Sequence, residues 1–464
     1  MKRSALWKLI AVFLALALVA AACGDDDDDT ASGDDGTAAD DGGDEEPAPA
    51  VPATPIDQRF VDMDFSGLTL NVLTPETASE ASGFFQGLLP FIEATGVGIN
   101  LNSTRDATTV LNLALEGGDP PDIVAIPQPG RLIEFCTNGD AIAIPDDVLA
   151  RLQPQFTDAW WALGASEDGS TFCGIPEKAD TKSLVWYNTA LFADNGWEVP
   201  TTWAEMETLI EDVTAEGIAP FCIGIESSDA TGWPFTDWME DFMLRLHGPE
   251  VYDQWVSHEI PFNDPRVLEV AEFIGDIWFT EGNVFGGRAN IATTNFRDVA
   301  VPHINGECAM HRQASFAGAF YTENGATIGP DGDVSVFYLP PVGDEYGTPV
   351  LSAGVLFAAF NDKPETVAML EFLGTTTHQE ARFIAQGGGY FSPNLEFNNA
   401  LLAPIEIEIL DILFGGSAVR FDGSDNMPGE VGSGSFWREG TDYVSGVITA
   451  QEFVDNVEDS WPSQ

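Results

Sequence analysis

Residues 174–188 read Gly-Ile-Pro-Glu-Lys-Ala-Asp-Thr-Lys-Ser-Leu-Val-Trp-Tyr-Asn, and they constrain the fold more than any other stretch. Four charged residues, Glu177, Lys178, Asp180 and Lys182, lead directly into Ser183-Leu184-Val185-Trp186-Tyr187, an apolar, aromatic run that reads as a buried strand. Long regions of alternating strand and helix patterns flank it on both sides. Leu68-Thr69-Leu70-Asn71-Val72-Leu73 alternates as a strand does, and a helical pattern follows over 78–93. The order repeats in residues 98–101 and 107–116, and Ile123-Val124-Ala125-Ile126 supplies a third strand after Pro120-Pro121. Strands alternating with helices predict a parallel or mixed sheet covered on both faces. Charged side chains where a strand passes between two such regions predict a ligand cleft.

The N-terminus narrows where the chain works. Lys2, Arg3 and Lys8 precede an apolar run over 9–19, then Ala20-Ala21-Ala22-Cys23. A basic start, a short apolar core and small residues before a break form a secretory signal, too short for a comfortable membrane span. The small residues before Cys23 resemble a bacterial lipobox, with Ala20 departing from its commonest first residue. That implies cleavage, lipidation of Cys23 and an extracytoplasmic protein anchored to the bacterial cell membrane. Residues 24–58 hold an Asp25-to-Asp29 run and Pro47, Pro49, Pro52 and Pro55. So little of this segment is apolar that a disordered tether is expected.

The remaining length of about 400 residues exceeds what one core supports, so two lobes are expected. The chain carries a formal charge of −57, and 62 of its 75 acids but only 14 of its 18 bases lie from Phe60 onward. Nucleic acid is excluded as a partner because phosphate binding needs a cationic surface. Such acidity keeps a protein soluble, or adapts it to a salty habitat.

Several further runs carry a resemblance. These are Gly117-Gly118-Asp119-Pro120-Pro121-Asp122-Ile123-Val124, Pro200-Thr201-Thr202-Trp203-Ala204-Glu205, Phe221 to Pro234 with its Gly232-Trp233-Pro234, Gly306 to Phe316, and Ser435-Phe436-Trp437. Together with the 174–188 stretch they resemble family 1 of the extracellular solute-binding proteins, maltose-binding-type receptors of ABC importers, and most of all its α-glucoside-binding lipoproteins. The resemblance spans roughly residue 66 to the C-terminus. It implies a two-lobe α/β periplasmic-binding-protein fold with discontinuous lobes joined by a multi-strand hinge. On this reading lobe 1 is 59–182 plus 309–360 and lobe 2 is 183–308 plus 361–464. The first crossing lies at 174–188, the second at Gly306 to Phe316 and the third near Asn361-Asp362-Lys363, with first-lobe strands at 334–340 and 350–360.

The implied function is capture of an α-glucoside or related oligosaccharide and its presentation to permease subunits, by a monomer without cofactor or metal. Stacking faces are expected from Trp437, Phe316 and Trp233, and hydroxyl partners from Asp180, Lys182, Arg312 and Asp229. His311 is a further candidate, weighed against a structural role. Same-fold receptors for a polyamine or glycerol phosphate remain alternatives, as does a secreted glycoside hydrolase. No Gly-x-Ser-x-Gly or His-Glu-x-x-His occurs, and carboxylates are too abundant for any pair to be informative. With Cys23 set aside, Cys136, Cys173, Cys222 and Cys308 in an oxidising compartment predict two disulfides rather than a metal site. Of three connectivities, Cys136–Cys173 at the first lobe and Cys222–Cys308 closing the second lobe's segment are expected. Thr202 and Glu205 have the spacing of a helix capping box.

Overall fold

A computed structural model describes residues 53–462. The signal segment, Cys23 and most of the tether lie outside the described residues. Ten strands are present among those described: β1 (Thr69–Thr74), β2 (Gly98–Ser103), β3 (Ile123–Ile126), β4 (Gly174–Thr181), β5 (Leu184–Asn188), β6 (Ala219–Phe221), β7 (Cys308–Arg312), β8 (Val334–Tyr338), β9 (Pro349–Ala359) and β10 (Ala418–Phe421). They form two sheets. The first runs β10-β9-β3-β1-β2, with β4 also paired to β9, and the second runs β6-β7-β5-β8. The first three strands are parallel to one another, β9 is antiparallel to β3 and β4, and β5 is antiparallel to both of its neighbours.

The predicted strand–helix alternation is present, with helices Ala78–Thr95 and Ala107–Gly117 following β1 and β2. Each sheet has its own core. Phe84, Phe91, Phe357 and Phe372 meet under the first, and Trp238, Phe242, Trp278 and Phe453 fill the second. Both disulfides form as expected, Cys136–Cys173 and Cys222–Cys308. Thr202 and Glu205 make the capping box. Among the described residues no helix is long and apolar enough to cross a membrane.

The lobes meet where three passages of chain lie side by side. Lys182 and Ser183 link β4 to β5, the chain returns from β8 to β9, and Asp422 leaves β10 for the second lobe. Backbone bonds join the passages: Lys182 N to Leu351 O and Asp422 N to Ser352 O, both at 2.8 Å, and Leu339 N to Ser183 O at 3.0 Å.

The first passage is where the sequence predicts it; the other two are not. β7 lies in the middle of the second sheet, bonded to β5 and β6, so Gly306 to Phe316 is no crossing. β8 also pairs with β5, which places Val334–Tyr338 in the second lobe rather than the first. Asn361 and Lys363 cap the first sheet, both donating to Asp122 at 2.8 Å. The helices after them, Pro364–Leu373 and Thr376–Gln386, pack on the first lobe through Met369, Phe372 and the contact of His378 with Phe84. The cause is strand direction. β9 starts at the hinge and runs away from it, so eleven residues later, roughly 35 Å on, the chain emerges at the far end of the first sheet.

The tether also ends earlier than 58. Thr54 N donates to Glu380, Pro55 O accepts from Thr377, Asp57 caps the helix Gln58–Val61, and Phe60 is buried against Phe91 and Phe372.

Candidate functional site

The site is built first on β4, whose residues alternate between two environments. Lys178, Asp180 and Lys182, two apart, face a cavity between the lobes. Glu177 faces the opposite side, where it accepts from Arg382 Nη1 at 2.7 Å and meets His378 Nε2 at 2.9 Å. The cavity encloses about 130 Å³ and is also lined by Glu76, Glu80 and Arg105 of the first lobe and Ser227, Phe296 and Asp425 of the second.

Of the residues singled out from sequence, Asp180, Lys182, Trp233, Phe316 and Trp437 line this one cavity. Two do not. Asp229 lies across the lobe boundary with its carboxylate accepting from Thr109 N at 3.1 Å. Arg312 lies behind the wall, donating through Nη2 to Asp241 Oδ2 at 2.6 Å and to the Asp237 carbonyl at 3.0 Å. It steadies Asp237, which accepts from Lys182 Nζ at 2.6 Å. Arg312 therefore acts on the cavity through Asp237 and Lys182. His311 is structural, its Nδ1 3.0 Å from the Tyr321 hydroxyl.

Glu76, Glu80, Arg105, Ser227 and Phe296 carry no local signature and come together only in the fold. Lys178 has one, since it shares the period-2 face of Asp180 and Lys182.

Two charge webs hold the walls. In the first, Lys178 Nζ donates to Glu76 Oε1 at 3.2 Å and Glu80 Oε1 at 3.0 Å and lies 3.8 Å from Asp180 Oδ2. Burial pushes the Glu80 carboxyl up, but Lys178, Arg105 and Arg297 together outweigh it and hold the group at about 2. Burial also pushes Asp180 up, to about 6, with Lys178 and the Ser315 hydroxyl only partly opposing it. In the second web Lys182 bridges Asp237 and Asp422. Asp237, Glu240 and Asp422 could together face a metal ion, but the Lys182 ammonium already bonds two of them. Glu240 accepts the amides of Gly423 and Ser424. The cation facing Asp237 and Asp422 is the Lys182 ammonium.

The aromatic rings are partly engaged by these same cations. Lys178 lies over Phe316 at 5.3 Å, Lys182 over Trp233 at 5.4 Å and Arg105 over Phe296 at 4.7 Å. Trp437 stands apart. It opens the helix Trp437–Ser445 after a π-helical turn over Val431–Phe436, and its carbonyl packs against Gly232. Gly232 has φ +113°, and a Cβ there would stand 2.2 Å from that oxygen, so only glycine permits this approach.

Four deeply buried polar atoms on lining residues have no protein partner: Glu76 Oε2, Arg105 Nε, Ser227 Oγ and Trp437 Nε1. Buried polar groups in folded proteins are nearly always bonded, so orphans gathered at one cavity mark where a ligand bonds.

The lobes touch around the cavity. Arg297 Nη1 donates to Glu80 Oε2 at 2.6 Å; the Ser79 hydroxyl donates to Glu323 Oε2 at 3.1 Å; Ser228 meets Asp106; and Gly429 N donates to Glu134 at 3.0 Å. These contacts describe a cleft in its closed form.

Residues 77–380 match the family described as "Bacterial extracellular solute-binding protein". The chain is 38% identical over 387 residues to the osmoprotective compounds-binding protein GgtB of Synechocystis, covering 81% of this chain and 88% of that one. It is 36% identical over 413 residues to the alpha-glucosides-binding periplasmic protein AglE of Rhizobium meliloti, covering 86% and 88%. Among solved structures, the bacterial solute receptor AcbH superposes with a TM-score of 0.72 at 17% identity, over 84% of this chain and 97% of that one, which speaks for the fold. With two lobes, a three-passage hinge and a lined interlobe cleft, this chain belongs to the bacterial extracellular solute-binding proteins.

Proposed function

We propose that the chain captures an α-glucoside or related small saccharide between its lobes and presents the closed complex to the permease of an ABC importer. The relatives support this reading, since one is named for alpha-glucosides and another for osmoprotective compounds. The observation that carries it is the pairing, on one cavity, of aromatic rings with the unpartnered Glu76 Oε2, Arg105 Nε, Ser227 Oγ and Trp437 Nε1. A saccharide has C–H faces for the rings and hydroxyls that both donate and accept, which matches one orphan acceptor, two orphan donors and one hydroxyl.

A polyamine fits less well. Three rings that would receive its ammonium groups already lie against Arg105, Lys178 and Lys182. The reading makes the protein a receptor rather than a glycosidase. Asp180, Lys182, Trp233, Phe316 and Trp437 contact the ligand and Arg312 positions Lys182. In this reading it is a monomer held outside the cell membrane by a lipid on Cys23, with the acidic tether giving reach.

Ligand closes the cleft by binding the closed form better than the open one. Calorimetry against a panel of α-glucosides, with a chromogenic glycoside assay alongside, tests the proposal. Saturable binding without turnover is expected. Turnover, or binding of polyamines in preference to every saccharide, would sink it.

A further inference from the structure

Beyond Arg105 and Trp437 the cavity continues into a second chamber of about 50 Å³, sharing Pro75, Arg105, Pro127, Gln128, Ala230 and Trp437 with the first. Its chemistry differs. The first cavity has carboxylates from Glu76, Glu80, Asp180, Asp422 and Asp425 on its walls, whereas the second is lined by no acid at all. In a chain with 75 acids and 18 bases that contrast is not a matter of composition.

The charged groups that line the chamber are two arginines, Arg105 and Arg131. Arg131 Nη2 donates to the Asn112 side chain at 2.7 Å and the guanidinium lies over Phe135, while Glu134 and Asp229 are near enough to be felt without forming an ion pair with it. Gly429 of the second lobe covers the Arg131 stem, where a Cβ would meet its Cγ at 2.6 Å. Arg105 reaches Glu80 through Nη2 at 3.6 Å and keeps a buried Nε without a partner.

Two helices begin at the chamber, Ala107–Gly117 through Ala107 and Thr108, and Pro129–Asn138 through Pro127 and Gln128. Neither N-cap side chain bonds its helix. Asp229 takes the Thr109 amide of the first. The Trp437 indole N–H, on a residue only 4% exposed, is an unpartnered donor on the wall shared by both chambers. Guanidinium groups, helix N-termini and an indole N–H all favour an acceptor carrying negative charge.

We propose that the second chamber is a carboxylate subsite, so that the preferred ligand is a glycoside whose small aglycone bears a carboxylate. The sugar ring occupies the first cavity and the carboxylate meets Arg131, Arg105 and Trp437 in the second. This rests on the saccharide reading of the first cavity. At roughly 10–15 Å³ per water position the chamber holds about three to five such positions, enough for a carboxylate on a short stem. A phosphate dianion would bring more charge than these donors offset, because Arg105 is shared with Glu80.

The test compares the α-glucosides of lactic acid and of propane-1,2-diol, which differ only in a carboxylate against a hydroxymethyl group, with glucose 1-phosphate as a third probe. Calorimetry on the full chain at about 0.15 M salt limits repulsion from the acidic surface. The acid is expected to bind at least tenfold tighter than the alcohol. Arg131→Gln should erase that ratio while leaving the alcohol's Kd within about twofold, and Arg131→Lys should keep part of the ratio. Equal or weaker binding of the acid overturns the subsite, as does tighter binding of glucose 1-phosphate. A loss from Arg131→Gln that falls equally on acid and alcohol overturns it too. Failure of all three probes to bind overturns the saccharide reading with it, whereas binding of the alcohol alone leaves that reading standing.

Discussion

Trp437 joins two roles that substitution can separate, because its ring lines the cavity while its Nε1 lacks a partner. Burying roughly 80 Å² of indole and sugar carbon at about 25 cal/mol per Å² contributes on the order of 2 kcal/mol. Trp437→Ala should therefore weaken saccharide binding about thirtyfold. Trp437→Phe keeps a ring but loses the donor, and a single hydrogen bond of about 1 kcal/mol predicts a roughly fivefold loss. Calorimetry of both variants, with melting of the ligand-free protein, checks the assignment. Unchanged affinity with a lowered melting temperature would return Trp437 to the core.

Asp180 offers a test by pH. Its carboxyl is raised to about 6, from an ordinary 3.8 in the unfolded chain. Between those values the unfolded state has released a proton that the folded state keeps, so stability falls as pH rises from about 4 to about 6 and then levels. Asp180→Asn removes that fall and leaves Lys178 paired with Glu76 and Glu80. At pH 7 the variant should be more stable by on the order of 1–3 kcal/mol, and at pH 4 nearly equal to the parent. Urea unfolding across this range decides it, and parallel curves for the two proteins would refute the argument.

At the scale of elements, β4 shows how a strand divides its work. Lys178, Asp180 and Lys182 look into the cleft, and Glu177 looks back into the Arg382–His378 cluster under the first lobe. The helix Trp233–Leu246 is set against the Trp437 turn by Gly232. Gly232→Ala places a methyl group against the Trp437 carbonyl at a backbone angle that alanine resists. A loss of roughly 1–3 kcal/mol is expected, together with weaker binding because Trp233 and Trp437 separate. Thermal melting and ligand titration of this variant measure both effects. A stable variant with full affinity would show that the approach is not needed.

For the whole molecule, charge is the dominant fact. From Phe60 onward the chain carries 48 net negative charges, 62 acids against 14 bases. Many bases are already committed to the cleft and hinge, where Lys178, Lys182, Arg297, Arg312 and Arg382 pair with buried carboxylates. The surface is left to repel itself, and salt screens that repulsion within about 8–10 Å at physiological strength and less above it. The melting temperature should rise between dilute buffer and molar sodium chloride. The buried pairs are screened far less, so a fall with salt would mean that exposed links such as Arg420–Asp253 outweigh the repulsion.

Local pattern in the sequence was sufficient for the first three strands and the helices after the first two, the cleft-facing charges at Asp180 and Lys182 and the family itself, while the pairing of four cysteines followed from grouping them by lobe. All but the pairing are written in short-range periodicity or in runs of residues that stay together; Cys222 and Cys308 lie 86 residues apart. The later crossings were not legible, because strand propensity at 308–312 or 334–338 is the same whichever sheet receives it. Only the pairing with β5, and the direction in which β9 leaves the hinge, decides the lobe. Arg312 and Lys182 look equivalent as cations beside a crossing, yet one faces the cavity and the other is enclosed by Asp237 and Asp241 behind it. Glu76, Arg105 and Ser227 carry no signature because closure of two separate lobes assembles them. A site made by long-range contact is decided by the packing of whole elements, which no local stretch encodes.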